Sequence, residues 1–267
     1  MSRELNQNMD ETRRSILKAA GLAVAVGAGG VTAAKAVAAG NPDYTRDPKA
    51  LNGKHWAMVV DVKKFTKPED YQKCVDACHT THNVPNFPDE KRKIEIKWLW
   101  TDDYDHVFPG NESHYAVEWL HHKQILALCN HCEQPPCVRV CPTKATYKNT
   151  EDGIVMMDMH RCIGCRYCMA GCPYGARSFN FADPRPYIKT LNPGFPSRTK
   201  GVVEKCTFCY QRLAEGKMPA CVEASEGRLI FGDLEDPKSE VRKVLRENFT
   251  IRRKPELGTF PSVYYII

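Results

Sequence analysis

The chain has 267 residues, of which 26% are charged and 42% apolar, and its 38 Lys and Arg outnumber its 32 Asp and Glu by six. These values are those of a folded globular protein and exclude a disordered or collagen-like chain. Residues 1–38 hold five basic and three acidic side chains, so a charge of +4 remains on the rest. That excess is too small to predict nucleic-acid binding. The thirteen cysteines are the informative residues.

The first segment, residues 1–38, has the features of a signal peptide. Arg13 and Arg14 precede an apolar run rich in Ala and Gly, which ends in the cleavage-type sequence Ala36-Val37-Ala38. The paired arginines predict export by the twin-arginine route, which carries folded proteins, and therefore a periplasmic location. The alternative is an uncleaved anchor helix, although the run is shorter than the roughly 20 apolar residues of a membrane span.

Two cysteine motifs stand side by side in the middle of the chain. They read Cys129-x2-Cys132-x4-Cys137-x3-Cys141-Pro142 and Cys162-x2-Cys165-x2-Cys168-x3-Cys172-Pro173. The second has the ferredoxin spacing, in which three thiolates hold one [4Fe–4S] cluster and the fourth crosses to a neighbouring cluster. Gly164 allows the unusual backbone angles that such a tight loop requires.

Two further motifs are recognisable by comparison with this pair. The sequence Cys206-x2-Cys209-x11-Cys221-x3-Ser225 copies the first motif, with an insertion and a serine in the last position. Residues 58–78 copy the second motif, beginning with an apolar strand and ending in Cys74-x3-Cys78. Phe65 stands where the first cysteine of this copy would be, and the second cysteine is absent.

The crossing rule assigns these cysteines to sites if the outer motifs pair as the inner ones do. Three sites then have four thiolates each: site A (Cys129, Cys132, Cys137, Cys172), site B (Cys162, Cys165, Cys168, Cys141) and site C (Cys206, Cys209, Cys221, Cys78). The fourth site keeps only Cys74, with Phe65 and Ser225 in two of the other positions. All losses fall in one site. The sequence therefore predicts three [4Fe–4S] clusters, with iron bound by twelve cysteines, and Cys74 as a free buried thiol.

Other uses of the cysteines fit the spacing less well. Structural zinc sites also use C-x2-C pairs, but rarely the compact C-x2-C-x2-C-x3-C-P run. Disulfides between neighbouring positions of one motif would be strained, and an odd number of cysteines leaves one unpaired. Three oxidised clusters with their thiolates carry about −2 each, so part of the basic excess is expected to offset them.

The predicted fold class is α+β, with two ferredoxin-like [4Fe–4S] lobes. The outer lobe is discontinuous, with one cluster on residues 55–82 and 200–236, and the inner lobe, with two clusters, is residues 123–199. An insertion, residues 83–122, and a C-terminal tail, residues 237–267, complete the chain. Short strands are expected at four places: Trp56–Asp61, Ile154–Asp158, Arg177–Phe181 and Arg228–Phe231.

Two segments carry additional expectations. Within the insertion, the alternation of Ile94, Ile96, Trp98 and Trp100 with other residues predicts a half-buried strand, for packing rather than docking. The tail is basic and then aromatic, and either packs on the body of the protein or docks on a membrane partner.

The histidines predict no catalytic site. No C-x-x-C-H sequence is present for c-type haem attachment, and His79, His82, His121 and His122 have no ligand spacing. His131 lies between Cys129 and Cys132, where it either donates a hydrogen bond to sulfur or is exposed to solvent.

The motif residues resemble those of the four-cluster ferredoxin-like iron–sulfur subunits of respiratory complexes. The similarity covers roughly residues 55–235 and includes the iron–sulfur subunits of dimethyl sulfoxide, polysulfide and tetrathionate reductases and of formate-dependent (NrfC-type) nitrite reductases. It rests on four stretches of sequence: 129–143, 161–177, 205–209 and 219–224. The ending 257–265 resembles the nitrite-reductase branch. The departures at Phe65 and Ser225 mean that the family's fourth cluster is not carried over.

The resemblance implies an electron-transfer subunit rather than an enzyme. Its implied partners are an integral membrane subunit that handles quinone and a multihaem cytochrome c or another redox subunit, through which it is membrane-associated. The export signal and reduced cluster count are most similar to the periplasmic (DsrO-like) iron–sulfur subunit of the sulfite-reduction-linked Dsr complex, which implies sulfur metabolism. One alternative is the electron-transfer subunit of a molybdopterin oxidoreductase or nitrite reductase system. Another is an iron–sulfur enzyme with its own substrate site.

Overall fold

The computed structural model describes residues 47–110, 120 and 123–267. The predicted signal peptide and part of the predicted insertion lie outside these residues. Across the three described ranges, no helix combines the length and hydropathy that crossing a bilayer requires.

A four-stranded sheet is built around β1 (Trp56–Asp61), in the order β8-β1-β10-β9. β1 pairs antiparallel with β8 (Leu229–Asp233) and parallel with β10 (Val263–Ile266), which in turn pairs antiparallel with β9 (Thr250–Ile251). Every residue of β1 is buried because both faces of the sheet are covered, which is why this strand reads as a continuous apolar run. The strand expected at Trp56–Asp61 therefore has the predicted bounds.

Within the ranges that the structure describes, three two-stranded antiparallel sheets accompany the main sheet. β2 (Leu99–Asp103) pairs with β3 (Gln124–Leu128), β4 (Thr146–Lys148) with β5 (Val155–Met157), and β6 (Ser178–Phe179) with β7 (Val203–Glu204). Short strands thus occur at all four expected places.

The helices are short except for the first. They are α1 (Pro68–Thr81), α2 (Tyr104–Val107), α3 (Pro136–Arg139), α4 (Tyr167–Ala170), α5 (Tyr210–Ala214), α6 (Ala220–Ala224) and α7 (Glu240–Glu247). In the described part of the chain, 3-10 segments occur at Val62–Lys64, Asp89–Ile94, Arg185–Tyr187 and Pro255–Leu257. The protein is therefore a mixed α+β fold with small sheets.

The predicted strand over residues 94–100 is largely wrong. Residues Asp89–Ile94 form a 3-10 helix, and the strand begins only at Leu99. The amide of Lys97 donates to the Ser178 hydroxyl at 2.8 Å, so this stretch is held by a side chain instead of a strand ladder. The expected packing role is nevertheless seen, because Ile96 and Trp98 are buried.

The C-terminal tail packs on the body of the protein. β10 lies in the middle of the main sheet, and Val241 of α7 packs on Ala57 and Val59, on the opposite face from the main core. Of the two expectations for the basic and aromatic tail, the structure shows packing on the body of the protein.

Candidate metal centres

Three C-x-x-C loops share one backbone feature. The residue before the second cysteine has a positive φ in each: 42° at His131, 70° at Gly164 and 53° at Phe208. A left-handed conformation is uncommon for residues other than glycine, so its recurrence at equivalent positions marks three related loops. At Gly164 glycine is also needed for space, because a Cβ atom would clash with the carbonyl oxygen of Gly201.

Of the cysteines predicted for site A, three are buried and Cys172 is half-buried. Burial raises the pKa of Cys132 to about 12, and the charges of Cys129, Cys137 and Cys172 act in the same direction. Burial, followed by the charge of Cys129, likewise raises the pKa of Cys172. Cys172 is part of the second motif, so its thiol and that of Cys132 lie near each other across two motifs.

The cysteines predicted for site B lie closer to solvent. Cys168 is buried, whereas Cys141, Cys162 and Cys165 are half-buried. Cys141 and Cys162 pack against the apolar cluster that contains Cys168. The amide of Thr146 contacts the Cys141 sulfur at 3.5 Å. Burial raises the pKa of Cys141, but this and other hydrogen bonds outweigh it, so the net pKa is lowered.

The four cysteines predicted for site C are all buried. Burial raises the pKa of Cys78 well above its ordinary value, and the charges of Cys221, Cys206 and Cys209 add to the effect. Cys78 and Cys221 approach each other because α1 packs on α6. The amide of Phe208 donates to the Cys206 sulfur at 3.4 Å.

A buried arginine lies between sites A and B. The guanidinium of Arg177, only 4% exposed, donates to the Cys137 sulfur at 3.1 Å and to the Thr146 hydroxyl at 3.0 Å. Burial lowers the pKa of Arg177, but the charges of Cys137, Cys168 and Cys129 outweigh it and hold the net pKa above its usual range.

A buried lysine lies between sites A and C. The ammonium of Lys205, fully buried, donates to the carbonyl oxygens of Val155 and Cys206. Burial lowers the pKa of Lys205, and the net pKa lies below its usual range although the charges of Cys129 and Cys206, one from each site, act in the opposite direction.

The loops of sites A and C also touch through their left-handed residues. The rings of His131 and Phe208 stack with centroids 3.7 Å apart and an angle of 15°. The Nδ1 atom of His131 accepts from the Val155 amide at 3.1 Å, and the side chain is 1% exposed. Solvent exposure, one of the two roles considered for His131, is therefore wrong.

His82 follows α1 and contacts Cys78 of site C. Its Nδ1 atom donates to the Cys78 carbonyl oxygen at 2.8 Å and lies 3.8 Å from the Cys78 sulfur. Burial lowers its pKa to about 4, so the ring is neutral near pH 7. It stacks on Trp98 with centroids 4.5 Å apart.

The tail reaches site A through Thr259. A hydrogen bond from the Thr259 side chain lowers the pKa of Cys132, and the same hydroxyl bonds the Tyr174 hydroxyl. The amide of Gln134 donates to the Thr259 carbonyl oxygen at 3.1 Å, and the amide of Ser262 donates to that of Asn130 at 2.8 Å. The tail thus fixes the site A loop from outside the cysteine motifs.

The residues at the positions of the lost fourth site are buried: Phe65 and Cys74 belong to the apolar core, and Ser225 is buried as a polar residue. Phe65 is fully buried and stacks on Tyr71 at 4.6 Å between centroids. Cys74 is fully buried, and burial raises the pKa of its thiol to about 11. The Ser225 hydroxyl donates to Val222 and accepts from the amide of Leu229.

The donor set suits metal clusters rather than isolated thiols. Buried thiols with raised pKa values are neutral unless a metal or cation stabilises the thiolate, and metal coordination deprotonates a thiol outright. All thirteen cysteines are free of disulfides. In the part of the protein that the structure describes, no group of three or more His, Cys, Asp or Glu is arranged around a single metal ion. In a [4Fe–4S] cluster each thiolate binds a different iron atom.

Comparison with known proteins identifies the family. Residues 121–184 match the 4Fe-4S dicluster domain family. The chain is 44% identical over 245 residues to the Hdr-like menaquinol oxidoreductase iron-sulfur subunit 1 of Archaeoglobus fulgidus, an alignment that covers 83% of this chain and 87% of that protein. This protein belongs to the DMSO-reductase/NrfC-type iron–sulfur subunits.

Other relatives agree with this membership. The protein is 38% identical to the iron-sulfur cluster-binding subunit of the menaquinone reductase of Nitratidesulfovibrio vulgaris, over 79% of this chain and 88% of that protein. It is also 38% identical to one of the chains of the polysulfide reductase of Wolinella succinogenes, over 76% of this chain and 94% of that protein. The predicted family is thus confirmed, and the protein is an iron–sulfur electron-transfer component of an oxidoreductase complex.

Sequence reasoning did not single out Arg177, Lys205, His82 or Thr259. Arg177 and Lys205 lie in the quoted motif stretches, Lys205 directly before Cys206. A basic residue beside a cysteine motif was the sequence signal that could have identified Arg177 and Lys205 as charges near the sulfur atoms. For Thr259 no local signal exists, because its contact with Cys132 spans more than 120 residues.

Proposed function

We propose that this subunit carries three [4Fe–4S] clusters, at sites A, B and C, and transfers electrons without a substrate site of its own. The ligands are the twelve cysteines of the three sites, and Cys74 is not a ligand. When bound, the clusters supply one-electron redox chemistry; the chain supplies burial, spacing and hydrogen bonds to sulfur.

The observation that carries this proposal is the grouping of buried thiols across motifs. The charges that act on Cys132 come from the other three cysteines of site A, and those on Cys78 include the other three of site C. The left-handed loop residues occur in three motifs. In the fourth, Val62–Lys64 is a 3-10 turn that leads to buried Phe65.

The proposed electron path runs through sites B, A and C in that order. Arg177 donates to Cys137 of site A and interacts with the charge of Cys168 in site B. Lys205 interacts with the charges of Cys129 in site A and Cys206 in site C. Site B is the nearest to solvent, and Ile163 and Tyr167 beside it are 66% and 63% exposed. We place the contact with one redox partner at this end.

The proposed partners are an integral membrane subunit that handles quinone and a multihaem cytochrome c or another redox subunit. The names of two relatives support the quinone link, since one is a menaquinol oxidoreductase subunit and the other a menaquinone reductase subunit. The proposed location is the periplasm, supported by the twin-arginine sequence, and the proposed role is in sulfur or sulfite metabolism, as in the Dsr complex.

A molybdopterin oxidoreductase or nitrite reductase complex is the second candidate. Two relatives favour it, one named as a subunit of tetrathionate reductase and the other as an NrfC homolog. Co-purification separates the two candidates: a haem protein with the membrane subunit supports the first, and a molybdopterin protein supports the second.

Anaerobic quantification of iron and acid-labile sulfide in the co-purified complex tests the cluster assignment. We expect roughly twelve iron and twelve sulfide per chain, with visible absorption that dithionite bleaches. Zinc without sulfide would refute cluster binding, and roughly sixteen iron would refute the loss of the fourth site. Iron that binds substrate directly would favour the enzyme alternative.

A further inference from the structure

Site A lies between two buried cations, whereas sites B and C each lie beside one. Arg177 feels the charges of Cys137 and Cys129 in site A and of Cys168 in site B. Lys205 donates to the Cys206 carbonyl oxygen in site C and to that of Val155, whose amide donates to His131 in the site A loop. The charges of Cys129 and Cys206 act on it accordingly.

Both cations face sulfur and neutral groups instead of carboxylates. Arg177 donates to the Cys137 sulfur and the Thr146 hydroxyl, and Lys205 donates to two carbonyl oxygens. Among the described residues, no ion pair with Asp or Glu involves either cation, whereas the buried Arg198 pairs with Glu204. A buried charge without a counter-ion is strongly unfavourable. The thiolates are the negative charges within reach.

The positions of these charges determine which sites they affect. Reduction adds one electron to a cluster and makes no bond, so a nearby buried cation stabilises the reduced form and raises the potential. Arg177 and Lys205 should both raise the potential of site A. The hydrogen bond from Thr259 to Cys132 also favours negative charge on the sulfur there. At site C, the charges of Arg212 and Glu223 act on Cys209 in opposite directions.

We propose that Arg177 and Lys205 are shared positioning charges that set the potentials of two sites each, Arg177 those of A and B and Lys205 those of A and C. As a result, site A has a higher potential than site C. This inference rests on the proposed presence of clusters at the three sites.

The test is a redox titration of the co-purified complex followed by electron paramagnetic resonance. Signals are assigned to sites by cysteine-to-serine variants, one for each site. In Lys205→Met, at a fixed ambient potential, the ratio of reduced to oxidised cluster should fall about tenfold at sites A and C, equivalent to about 59 mV. Site B should be unchanged. In Arg177→Met the same fall should occur at A and B, with C unchanged.

Matched variants separate charge from packing. Lys205→Arg and Arg177→Lys keep the charge and should keep the potentials. Lys217→Met removes a lysine that is exposed and paired with Glu215, so all three potentials should stay unchanged. An equal shift at all sites, no shift, or a shift at the site predicted to be unaffected would overturn the proposal.

Iron content shows whether the clusters are present, separately from whether Arg177 and Lys205 set their potentials. About twelve iron per chain with the wrong pattern of shifts refutes the role of the cations and leaves the clusters in place. Where a Met variant loses iron, the order of potentials in the unmodified complex decides: site A above site C supports the proposal, and site A below site C refutes it.

Discussion

Replacing Phe65 by alanine tests whether the fourth site has become part of the apolar core. The ring is fully buried and stacks on Tyr71 at 4.6 Å and 25°. Truncation of a buried phenylalanine costs about 3–5 kcal/mol through lost transfer free energy and the cavity that remains. The aromatic pair places the expected cost in the upper half of that range, because such pairs add about 0.5–1.5 kcal/mol.

The measurement is thermal unfolding of the cluster-loaded protein, with all variants compared at one scan rate because the midpoint of an irreversible transition depends on that rate. For a folded region of this size, each kcal/mol lowers the midpoint by about 2–4 °C, so the upper half of that range corresponds to a fall of roughly 8–20 °C for Phe65→Ala. Iron per folded chain should not change, since Phe65 is not one of the proposed cluster ligands.

Phe249→Ala is the matched control. Its ring is 78% exposed, so the expected change is within about 0.5 kcal/mol. A Phe65→Ala protein that unfolds with the same midpoint as this control would refute the packing role. A variant that keeps its midpoint and loses or gains iron would show that Phe65 borders a metal site.

Three more predictions concern the site and its surroundings. Cys78→Ser should lose about four iron per chain, whereas Cys74→Ala should lose none by iron analysis; equal losses would contradict the assignment of site C. Glu204→Gln leaves the buried Arg198 unpaired and should lower the free energy of unfolding by about 3–5 kcal/mol, measured by thermal or denaturant unfolding; a change below about 1 kcal/mol would be inconsistent with this. Burial raises the pKa of Asp70, but hydrogen bonds from the amides of Lys67 and Thr66 and the charge of Arg228 lower it by more. The net pKa of Asp70 therefore lies below its ordinary value. The ionised Asp70 carboxylate therefore stabilises the folded protein above the unfolded pKa, and this stabilisation is lost as pH falls through the folded pKa. Asp70→Asn should have a lower unfolding midpoint than wild type at neutral pH but not in strong acid. A difference in midpoint that does not depend on pH would refute this.

The cysteine loops could be predicted because their spacing is local. Gly164 was expected to adopt unusual backbone angles and has a φ of 70°, and β1 follows from an uninterrupted apolar run. The assignment of twelve cysteines to sites A, B and C stays a prediction, as does the division into two lobes.

Other features depend on contacts between distant residues. The strand expected at 94–100 begins at Leu99 because the Lys97 amide bonds the Ser178 side chain, and no local pattern reveals that partner. The roles of Arg177 and Lys205 likewise depend on cysteines of other motifs. Hydrophobic periodicity carries no information on which buried charge faces which sulfur.

The central position of β10 determines when folding can finish during synthesis. β1 pairs along one edge with β10, about 200 residues later, so a nascent polypeptide on the ribosome lacks this neighbour until residue 266 has left the exit tunnel. Distant pairings of this kind form slowly. The Cys132 loop, which Thr259 and Ser262 hold in place, likewise lacks these contacts, and is accessible to the cellular machinery that delivers iron and sulfide, until those two residues have left the tunnel.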